Sequence, residues 1–341
     1  MPQLSINDTI KAFAALGEYL TNPSDDLNDL INSAVYHNSW FTEEYTWEAV
    51  LSIGKSLSES NLTAWLNNYK EPFEQKRTSK TVGLILAGNI PMVGFHDVIC
   101  VLIAGHKAQI KLSSNDKKLI PHILTKLVEI EPAYAQNFEF VERLNGFDAV
   151  IATGSNNSSR YFEYYFGKVP NIIRKNRNSV AVFNGTETPE DFNQLGKDIF
   201  SYFGLGCRNV SKLYVPANYK FDAFFEGIEA YKPIINFHKY ANNFDYNLTL
   251  LMMNRVPHFE NHFIMLSNNT AYTSPISALY YEEYADEKSL EERLKADADQ
   301  IQCIVSKNGH FKESLAFGQA QQPDLWDYAD GVDTMEFLLS I

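Results

Sequence analysis

A cysteine between glycines and a strand-like segment is the clearest candidate nucleophile in this 341-residue chain. Cys207 follows Phe203-Gly204-Leu205-Gly206 and precedes Lys212-Leu213-Tyr214-Val215-Pro216, a segment that predicts a buried strand. A thiol at a glycine-rich bend suits a nucleophile, because backbone N–H groups there can reach the oxyanion that its attack generates. This interpretation predicts an enzyme of acyl or aldehyde chemistry. The alternative is that Cys207 is a small packing residue, since cysteine is among the most buried residue types.

The elements that must position such a group alternate between strand and helix from residue 81 onwards. Strands that alternate with helices imply right-handed βαβ units and a parallel sheet with helices on both faces. Residues 1–75 are predicted to be helices with polar joints. The predicted fold class is therefore α/β. Apolar runs predict strands at 81–87, 107–112 and 147–152, and the segments between them predict helices at 93–104 and 116–129.

Polar segments follow three of these predicted strands. They are Gly88-Asn89-Ile90-Pro91, Lys111-Leu112-Ser113-Ser114 and Thr153-Gly154-Ser155. The carboxyl ends of parallel strands form the binding crevice of an open α/β sheet, so the three segments are expected at that crevice. Gly154 and Ser155 also precede a predicted helix, whose N-terminal N–H groups suit a pyrophosphate, although a plain serine N-cap is an equal alternative. No GxGxxG segment follows any of the strands, so the common dinucleotide fingerprint is missing.

Composition narrows the function classes. A formal charge of -13 argues against a nucleic-acid surface, and 45% hydrophobic residues can supply a sizeable core. No stretch approaches the roughly 20 apolar residues that a membrane span needs, and the first residues lack a secretory pattern. The three cysteines, Cys100, Cys207 and Cys303, form neither a disulfide framework nor a CxxC metal motif. We therefore expect a soluble, cytoplasmic protein without a metal site.

The order of the four motifs resembles the aldehyde dehydrogenase superfamily. The Asn89 loop, the Lys111 strand end, the Gly154-Ser155 turn and the Cys207 segment follow the order of its Asn-Phe-Pro loop, Lys-Pro-Ser-Glu strand end, Gly-Ser turn and cysteine nucleophile. The segments Ala-Gly-Asn-Ile-Pro and Gly-Cys-Arg-Asn-Val-Ser are most similar to the acyl-CoA reductases, the branch that includes the fatty-acid reductase of bacterial luminescence. The resemblance spans about residues 80 to 290.

The resemblance implies a domain organisation. Residues 1–173 would form an NAD(P)-binding domain with N-terminal helices, and residues 174–320 a catalytic domain that carries the cysteine. Residues 321–341 would form a tail that packs on the first domain or on a partner subunit. Because superfamily relatives are oligomers, the resemblance also implies a homo-oligomer.

The resemblance also assigns catalytic roles. Cys207 would attack the carbonyl carbon of an acyl-CoA thioester, and the Asn89 side-chain amide with the Cys207 backbone N–H would hold the oxyanion. Such donors typically contribute a few kcal/mol to the transition state. The alternative for Asn89 is a turn residue before Ile-Pro, since asparagine favours turns.

The cofactor-binding set implied by the resemblance comprises Lys111, Ser113, Ser114, Gly154 and Ser155. Lys111 would bind the adenosine ribose, and Gly154 with Ser155 the pyrophosphate. For Lys111 the alternative is a solvated charge at a strand end. At the fourth position of the Lys-Pro-Ser-Glu pattern the chain has Ser114, with Lys117 and Lys118 close behind, and lacks the acid that would repel a 2′-phosphate. This favours NADPH, with NADH as the alternative.

Two departures from the family pattern affect the expected reaction. Residues 173–179 match the segment that carries the general-base glutamate of hydrolytic aldehyde dehydrogenases, but they include no carboxylate. Because that base activates water, its absence favours reduction of an activated acyl group over oxidation to an acid. The segment 271–275 also lacks the glutamate that binds the nicotinamide ribose. A reductase of acyl phosphates, another aldehyde dehydrogenase-type enzyme and an inactive binding or assembly relative remain as alternatives.

Overall fold

The computed structural model describes residues 4–74, 77–154 and 156–341. The chain divides into two compact units, Met1–Asn176 together with Asp324–Ile341, and Arg177–Pro323. That the first unit binds a cofactor and the second carries out catalysis remains a prediction. Among the described residues, no helix is long and apolar enough to cross a membrane.

The helices of the described chain follow in sequence order. They are α1 (Ile6–Thr21), α2 (Asp25–Ser33), α3 (Glu43–Ser56), α4 (Glu59–Leu66), α5 (Lys70–Glu74), α6 (Phe95–Ile103), α7 (Leu119–Ile130), α8 (Asn156–Phe166), α9 (Pro189–Phe200), α10 (Asp222–Gly227), α11 (His238–Met253), α12 (Glu287–Ala296) and α13 (Thr334–Ser340).

The strands alternate with these helices over most of the chain. They are β1 (Thr81–Ile85), β2 (Lys107–Lys111), β3 (Phe138–Phe140), β4 (Ala149–Thr153), β5 (Asn171–Arg174), β6 (Asn178–Val182), β7 (Val210–Pro216), β8 (His258–Glu260), β9 (Met265–Asn268), β10 (Ala278–Tyr284), β11 (Ile301–Ser306) and β12 (Leu315–Ala316).

The first unit contains a parallel sheet. Within the described residues its strand order is β3-β2-β1-β4-β5, and every neighbouring pair is parallel. Strands β2 and β3 lie on one side of β1, whereas β4 and β5 lie on the other, so the order reverses between β1 and β4. In open α/β sheets this switch point is where ligands bind, outside the carboxyl ends of the strands.

The strands of the first sheet are buried, which explains why apolar runs in the sequence predict them. Val82 and Leu84 of β1 are fully buried, and so are Ala108 and Ile110 of β2. Helix α6 is apolar almost all round because residues 97 to 103 are all buried, which includes Cys100 as a packing residue. A helix that is apolar on every side belongs in a core, so α6 and β1 together anchor this unit.

The C-terminal segment packs inside the first unit. Tyr328 accepts a hydrogen bond from Trp65 Nε1 at 2.7 Å, and Met335 and Leu338 are fully buried. His96 Nε2 lies 3.0 Å from the Leu325 carbonyl oxygen. Tyr328, Met335 and Leu338 therefore pack within the chain, whereas Trp326 is exposed.

Arg174 corrects one sequence-based expectation. The basic residues Arg174, Lys175 and Arg177 suggest a solvated loop, yet Arg174 is buried and forms an ion pair of 2.7 Å with the buried Asp97. It also donates to Thr334 Oγ1 at 3.0 Å. A buried charge must be paired, and Asp97 on α6 supplies the partner.

The second unit contains a larger sheet. In the part of the chain that the structure describes, its order is β12-β11-β6-β7-β10-β9-β8. The pair β8 and β9 is antiparallel, and the other pairs are parallel. Strand β7 lies between β6 and β10, with Leu213 and Val215 fully buried. This sheet places the residues that precede β7 at the end of a central strand.

Candidate active site

The Asn89 loop lies directly after the central strand β1. Gly88 is buried against Ser113, because a Cβ at Gly88 would lie 2.5 Å from Ser113 Oγ and 2.7 Å from Ser113 Cβ. The loops after β1 and β2 therefore touch at a point where only glycine fits. Asn89 follows at this edge with an exposed side chain. Its position is suited to contact with a ligand at the switch point of the first sheet.

Asp116 fastens the same two loops together. Its Oδ2 accepts the Met92 N–H at 2.8 Å, and the side chain is buried. Burial raises the pKa of Asp116, while hydrogen bonds from the backbone of Met92, Leu119 and Lys118 oppose that rise. Asp116 could not be singled out from the sequence, because its partner, Met92, lies in another loop. By accepting the Met92 N–H, Asp116 holds the end of the Asn89 loop at this edge of the sheet.

The predicted ribose-binding residues occupy the end of β2. Lys111 is the last residue of β2 and has an exposed side chain, while its carbonyl oxygen accepts the Leu86 N–H at 3.1 Å. Ser113 Oγ accepts the Asn115 N–H at 3.2 Å. Ser114 is exposed in the following turn. Lys111, Ser113 and Ser114 thus lie beside the Asn89 loop, as the adjacency of β1 and β2 requires.

Gly154 closes β4 on the other side of β1. A Cβ at Gly154 would lie 2.8 Å from the Phe162 ring and 2.9 Å from Ser158 Cβ, so α8 packs directly over this glycine. This close approach brings the N-terminal end of α8 to the switch point, where helix N–H groups favour an anion. Ser155 lies outside the described residues. The first unit therefore brings Asn89, Lys111, Ser113, Ser114 and Gly154 to one edge of its sheet.

Cys207 lies in the second unit, exposed on the turn that precedes β7. The approach to this turn is strained, since Tyr202 and Phe203 have φ of 53° and 58°, and Gly204 follows at 77°. Left-handed non-glycine residues cost of order 1–3 kcal/mol each and cluster at functional sites. The bend predicted from the glycines is present, and the packing alternative for Cys207 does not fit an exposed thiol.

Asn209 holds the turn around Cys207. Its Oδ1 accepts the Gly206 N–H at 2.8 Å, and its Nδ2 donates to the carbonyl oxygens of Ser201 at 2.9 Å and Asp198 at 3.1 Å. A contact of 3.4 Å to the Ile199 oxygen completes the set. Asn209 is 1% exposed, so these are buried hydrogen bonds that fix the end of α9 against the turn that carries Cys207.

Ser179 supports Cys207 from the neighbouring strand. Its hydroxyl donates to the Cys207 carbonyl oxygen at 3.1 Å and lies 2.9 Å from Cys303 Sγ. Because the single hydroxyl proton goes to the carbonyl, the Cys303 thiol is the donor to Ser179. Burial raises the pKa of Cys303 to about 11, which keeps that thiol protonated at neutral pH. Cys303 is therefore a support of the turn rather than a second nucleophile.

Asp198 and Arg208 tie the turn to a third segment. The Asp198 carboxylate accepts the N–H groups of Gly318 at 2.6 Å and Ala320 at 2.9 Å. Arg208 Nε donates to the Ala320 carbonyl oxygen at 2.9 Å. Asp198 is fully buried, and this desolvation raises its pKa to about 7. Arg208, the residue after Cys207, is thus bound to the loop 318–320, which Asp198 fixes.

The segment 270–272 is fixed to β7. Ser211 Oγ donates to the Tyr272 carbonyl oxygen at 2.7 Å, and Lys212 Nζ donates to the Thr270 carbonyl oxygen at 2.7 Å. Lys212 is fully buried and also pairs with Glu282. Burial lowers the pKa of Lys212, and the pairing with Glu282 opposes that shift. Strand β7, which follows Cys207, therefore holds Thr270 and Tyr272 in place.

Comparisons with known proteins add the fold family. No protein-family model matches the chain, and no curated protein matches it. Many solved structures resemble it, and for three of them, at 11–12% identity, the similarity concerns the fold. The chain therefore has the aldehyde dehydrogenase fold, and the fold predicted from its sequence is confirmed.

The three similar structures are aldehyde dehydrogenases. Aldehyde dehydrogenase 21 from Physcomitrella patens, in complex with the product succinate, has a TM-score of 0.61 at 12% identity and covers 99% of this chain and 89% of its own. The indole-3-acetaldehyde dehydrogenase AldA from P. syringae, in complex with NAD+, has a TM-score of 0.63 at 11% identity, with coverage of 93% and 75%. An aldehyde dehydrogenase from Mycobacterium tuberculosis complexed with NAD+ has a TM-score of 0.62 at 11% identity, with coverage of 89% and 74%.

Proposed function

We propose that this protein is an oxidoreductase of the aldehyde dehydrogenase kind that reduces an acyl-CoA thioester to an aldehyde with NAD(P)H. The observation that carries the proposal is the exposed Cys207 thiol on a turn fixed by Asn209 and Ser179, ahead of a central strand. The absence of a carboxylate from residues 173–179 favours reduction over hydrolysis. Aldehyde dehydrogenases of the same fold bind NAD+, which supports a nicotinamide cofactor.

In the proposed reaction the Cys207 thiolate attacks the acyl carbonyl carbon. The new carbon–sulfur bond forms first and gives a tetrahedral intermediate; when this collapses, the bond to the CoA sulfur breaks, and CoA leaves as a thiol with the proton that Cys207 released. The Asn89 amide donates a hydrogen bond to the oxyanion of the tetrahedral intermediate, as the resemblance implies. Such a donor is worth about 3 kcal/mol in the transition state. When the acyl carbon is reduced, its bond to the Cys207 sulfur breaks and the aldehyde leaves.

The first unit fits a nicotinamide dinucleotide. Gly154 lets α8 pack closely on the end of β4, because a Cβ there would meet Phe162 and Ser158, and this brings the N-terminal end of α8 to the switch point, where it suits a pyrophosphate. Lys111 is exposed at the neighbouring strand end and suits the adenosine ribose. When bound, the reduced cofactor supplies a hydride, that is two electrons and one hydrogen, to the acyl carbon. Ser114 in place of an acid, with the exposed Lys117 and Lys118 nearby, favours NADPH over NADH.

The test is intact-protein mass spectrometry after mixing with medium- or long-chain acyl-CoA, followed by NADPH. We expect an adduct of one acyl group that NADPH removes as the aldehyde. Cys207→Ser should abolish the adduct, whereas Cys303→Ala serves as the matched control and should retain it. An adduct with acyl phosphate but not with acyl-CoA would move the proposal to acyl-phosphate reduction. The absence of any adduct would refute it and favour an inactive relative.

We further propose that the protein is a homo-oligomer, since the resemblance is to an oligomeric superfamily. Light scattering at micromolar concentration tests this directly. A dimer or larger assembly is expected, and a strict monomer would contradict the proposal.

A further inference from the structure

Arg208 directly follows Cys207 and shares a tight turn with it. The Asn209 N–H donates to the Gly206 carbonyl oxygen at 3.1 Å, so Cys207 and Arg208 are the two central residues of this turn. Their Cα atoms are about 3.8 Å apart, as across any trans peptide bond. The thiol and the guanidinium group therefore extend from neighbouring points of one short segment.

The guanidinium group of Arg208 is fixed at one of its nitrogens. Its Nε donates to the Ala320 carbonyl oxygen at 2.9 Å, and the Ala320 N–H donates in turn to Asp198 at 2.9 Å. Within the described residues, no carboxylate forms an ion pair with Arg208, which is half-buried beside the exposed Cys207. The turn therefore carries a positive charge that is held in place and that no ion pair neutralises.

The charge of Arg208 already acts on a thiol beside the turn. Burial raises the pKa of Cys303 to about 11, and the charge of Arg208 opposes that rise. Cys303 lies two hydrogen bonds from the Cys207 main chain, through the Ser179 hydroxyl at 2.9 Å and 3.1 Å. The Cys207 thiol is next to Arg208 in the chain and is exposed, so the same charge acts on it without the opposing effect of burial.

Asp198 is the acid that contacts the same segment. Its two oxygens accept the N–H groups of Gly318 and Ala320 at 2.6 Å and 2.9 Å, and burial raises its pKa to about 7. At neutral pH Asp198 therefore carries only part of a negative charge, and it offsets the charge of Arg208 only in part. As the pH falls below 7, Asp198 becomes neutral and the turn becomes more positive.

The other charged groups around the turn are cationic or already paired. Lys197 is exposed on α9, and Arg177, which precedes β6, donates to a backbone carbonyl oxygen at 3.0 Å. His238 is exposed at the start of α11, which packs against the residues before the turn through aromatic side chains. Further along β7, Lys212 pairs with Glu282. These groups add no unpaired negative charge that would compete for Arg208.

We propose that Arg208 stabilises the thiolate of Cys207 and so keeps the nucleophile reactive at neutral pH. The inference rests on the proposed function, in which Cys207 attacks the acyl carbon. The thiolate is the attacking species, and a neighbouring arginine is one of the features that make a cysteine reactive. Residues 204–210 contain neither a carboxylate nor a histidine that could act as a base, so a fixed cation is the means of activation that this turn provides.

The experiment is alkylation of the full chain by iodoacetamide over a range of pH, with the modification of Cys207 followed by peptide mass spectrometry. The rate depends on the thiolate fraction, so its pH dependence gives the pKa of the Cys207 thiol. In wild type we expect a value at least one unit below the ordinary value of about 8.5. Arg208→Met should raise it by about one unit, because a nearby opposite charge lowers a pKa by roughly one to three units.

Matched variants separate the charge of Arg208 from its hydrogen bond. Arg208→Gln removes the charge but keeps an amide that can donate to the Ala320 oxygen, and it should resemble Arg208→Met. Arg208→Lys keeps the charge and should restore the pKa of Cys207 to within about half a unit of wild type. Lys295→Met, which removes an exposed positive charge from α12 of the same unit, is the control and should leave that pKa unchanged. Thermal unfolding checks that each variant is folded.

The outcomes separate this inference from the proposed function. The alkylation assay contains no acyl-CoA, so failure to form an acyl adduct leaves its result intact. A wild-type Cys207 that titrates at its ordinary pKa would overturn the inference. So would Arg208→Met and Arg208→Gln proteins in which the pKa of Cys207 is unchanged, or an Arg208→Lys protein that behaves as they do.

Discussion

Asn209→Ala should release the turn that carries Cys207. The change removes the hydrogen bond that Gly206 N–H donates at 2.8 Å and the two that Asn209 donates to the Ser201 and Asp198 oxygens at 2.9 Å and 3.1 Å. A hydrogen bond contributes about 1 kcal/mol net, and a buried group left without a partner costs more. Because Asn209 is 1% exposed, water cannot replace it without rearrangement. We expect a loss of about 3 kcal/mol in unfolding free energy.

Asn209→Asp makes the prediction sharper because it preserves the shape. The aspartate keeps an acceptor for Gly206 N–H, but its second oxygen faces the carbonyl oxygens of Ser201 and Asp198 without a proton. It should therefore be less stable than Asn209→Ala at pH 7.5. Protonation at low pH supplies one donor, so the stability of this variant relative to wild type should rise as the pH falls towards 5.

The assay is urea unfolding followed by far-UV circular dichroism, combined with the rate of Cys207 acylation. Circular dichroism is needed because the tryptophans, Trp40, Trp47, Trp65 and Trp326, all lie in the first unit and do not report the turn. Acylation should slow at least tenfold in both variants. Asn242→Ala, at an exposed residue of the same unit, should change stability by less than about 0.5 kcal/mol. An Asn209→Ala protein within 1 kcal/mol of wild type, or an Asn209→Asp protein with no pH dependence, would refute this account.

Three further predictions test contacts within the first unit or within the second unit. Gly88→Ala should weaken AMP binding measured by calorimetry, because its Cβ would lie 2.5 Å from Ser113 Oγ and would force the loops after β1 and β2 apart, and an unchanged affinity would contradict this. Burial raises the pKa of Asp198 to about 7, so the unfolding free energy of wild type should fall as the pH rises from about 4 to 7. Asp198→Asn should remove up to about 4 kcal/mol of this fall. Urea titrations that show the same fall in both proteins would contradict the prediction. Glu282→Leu should lower the unfolding free energy by about 3–5 kcal/mol, because it leaves the buried Lys212 without its ion pair. Lys212→Met should lower it less, because Glu282 keeps its ion pair with Arg293, and the reverse order would contradict this.

The sequence predicts the first sheet well because its strands are buried on both faces. The apolar run 81–87 contains β1, and the predicted strands at 107–112 and 147–152 overlap β2 and β4. The predicted helix at 116–129 instead begins at Leu119, since Asp116 serves the turn by accepting the Met92 N–H. Strand β3 has three residues and α2 has nine, and such short elements leave little periodicity to detect.

The residues of the candidate site also fall into two groups, those that the sequence reveals and those that only the structure reveals. Residues in local motifs, Cys207 and Asn89 among them, could be singled out from the sequence. Ser179 and Lys212 could not, because their roles come from contacts with residues distant along the chain. The hydroxyl of Ser179 reaches the Cys207 carbonyl 28 positions later, and Lys212 reaches Thr270 across 58 positions. Only tertiary structure brings these groups together, so a pattern of residue types carries no trace of them.

The fate of an acyl group on Cys207 depends on whether a carboxylate can activate water beside it. Residues 173–179 supply none, and the nearby structure does not compensate through Asp198. Asp198 is fully buried, and its two oxygens already accept the N–H groups of Gly318 and Ala320. Because a general base must reach the proton that it removes, Asp198 cannot take one from water without abandoning the loop that it holds. Transfer of the acyl group from CoA to Cys207 and hydride transfer to the acyl carbon use no activated water, so the proposed reduction needs no such base.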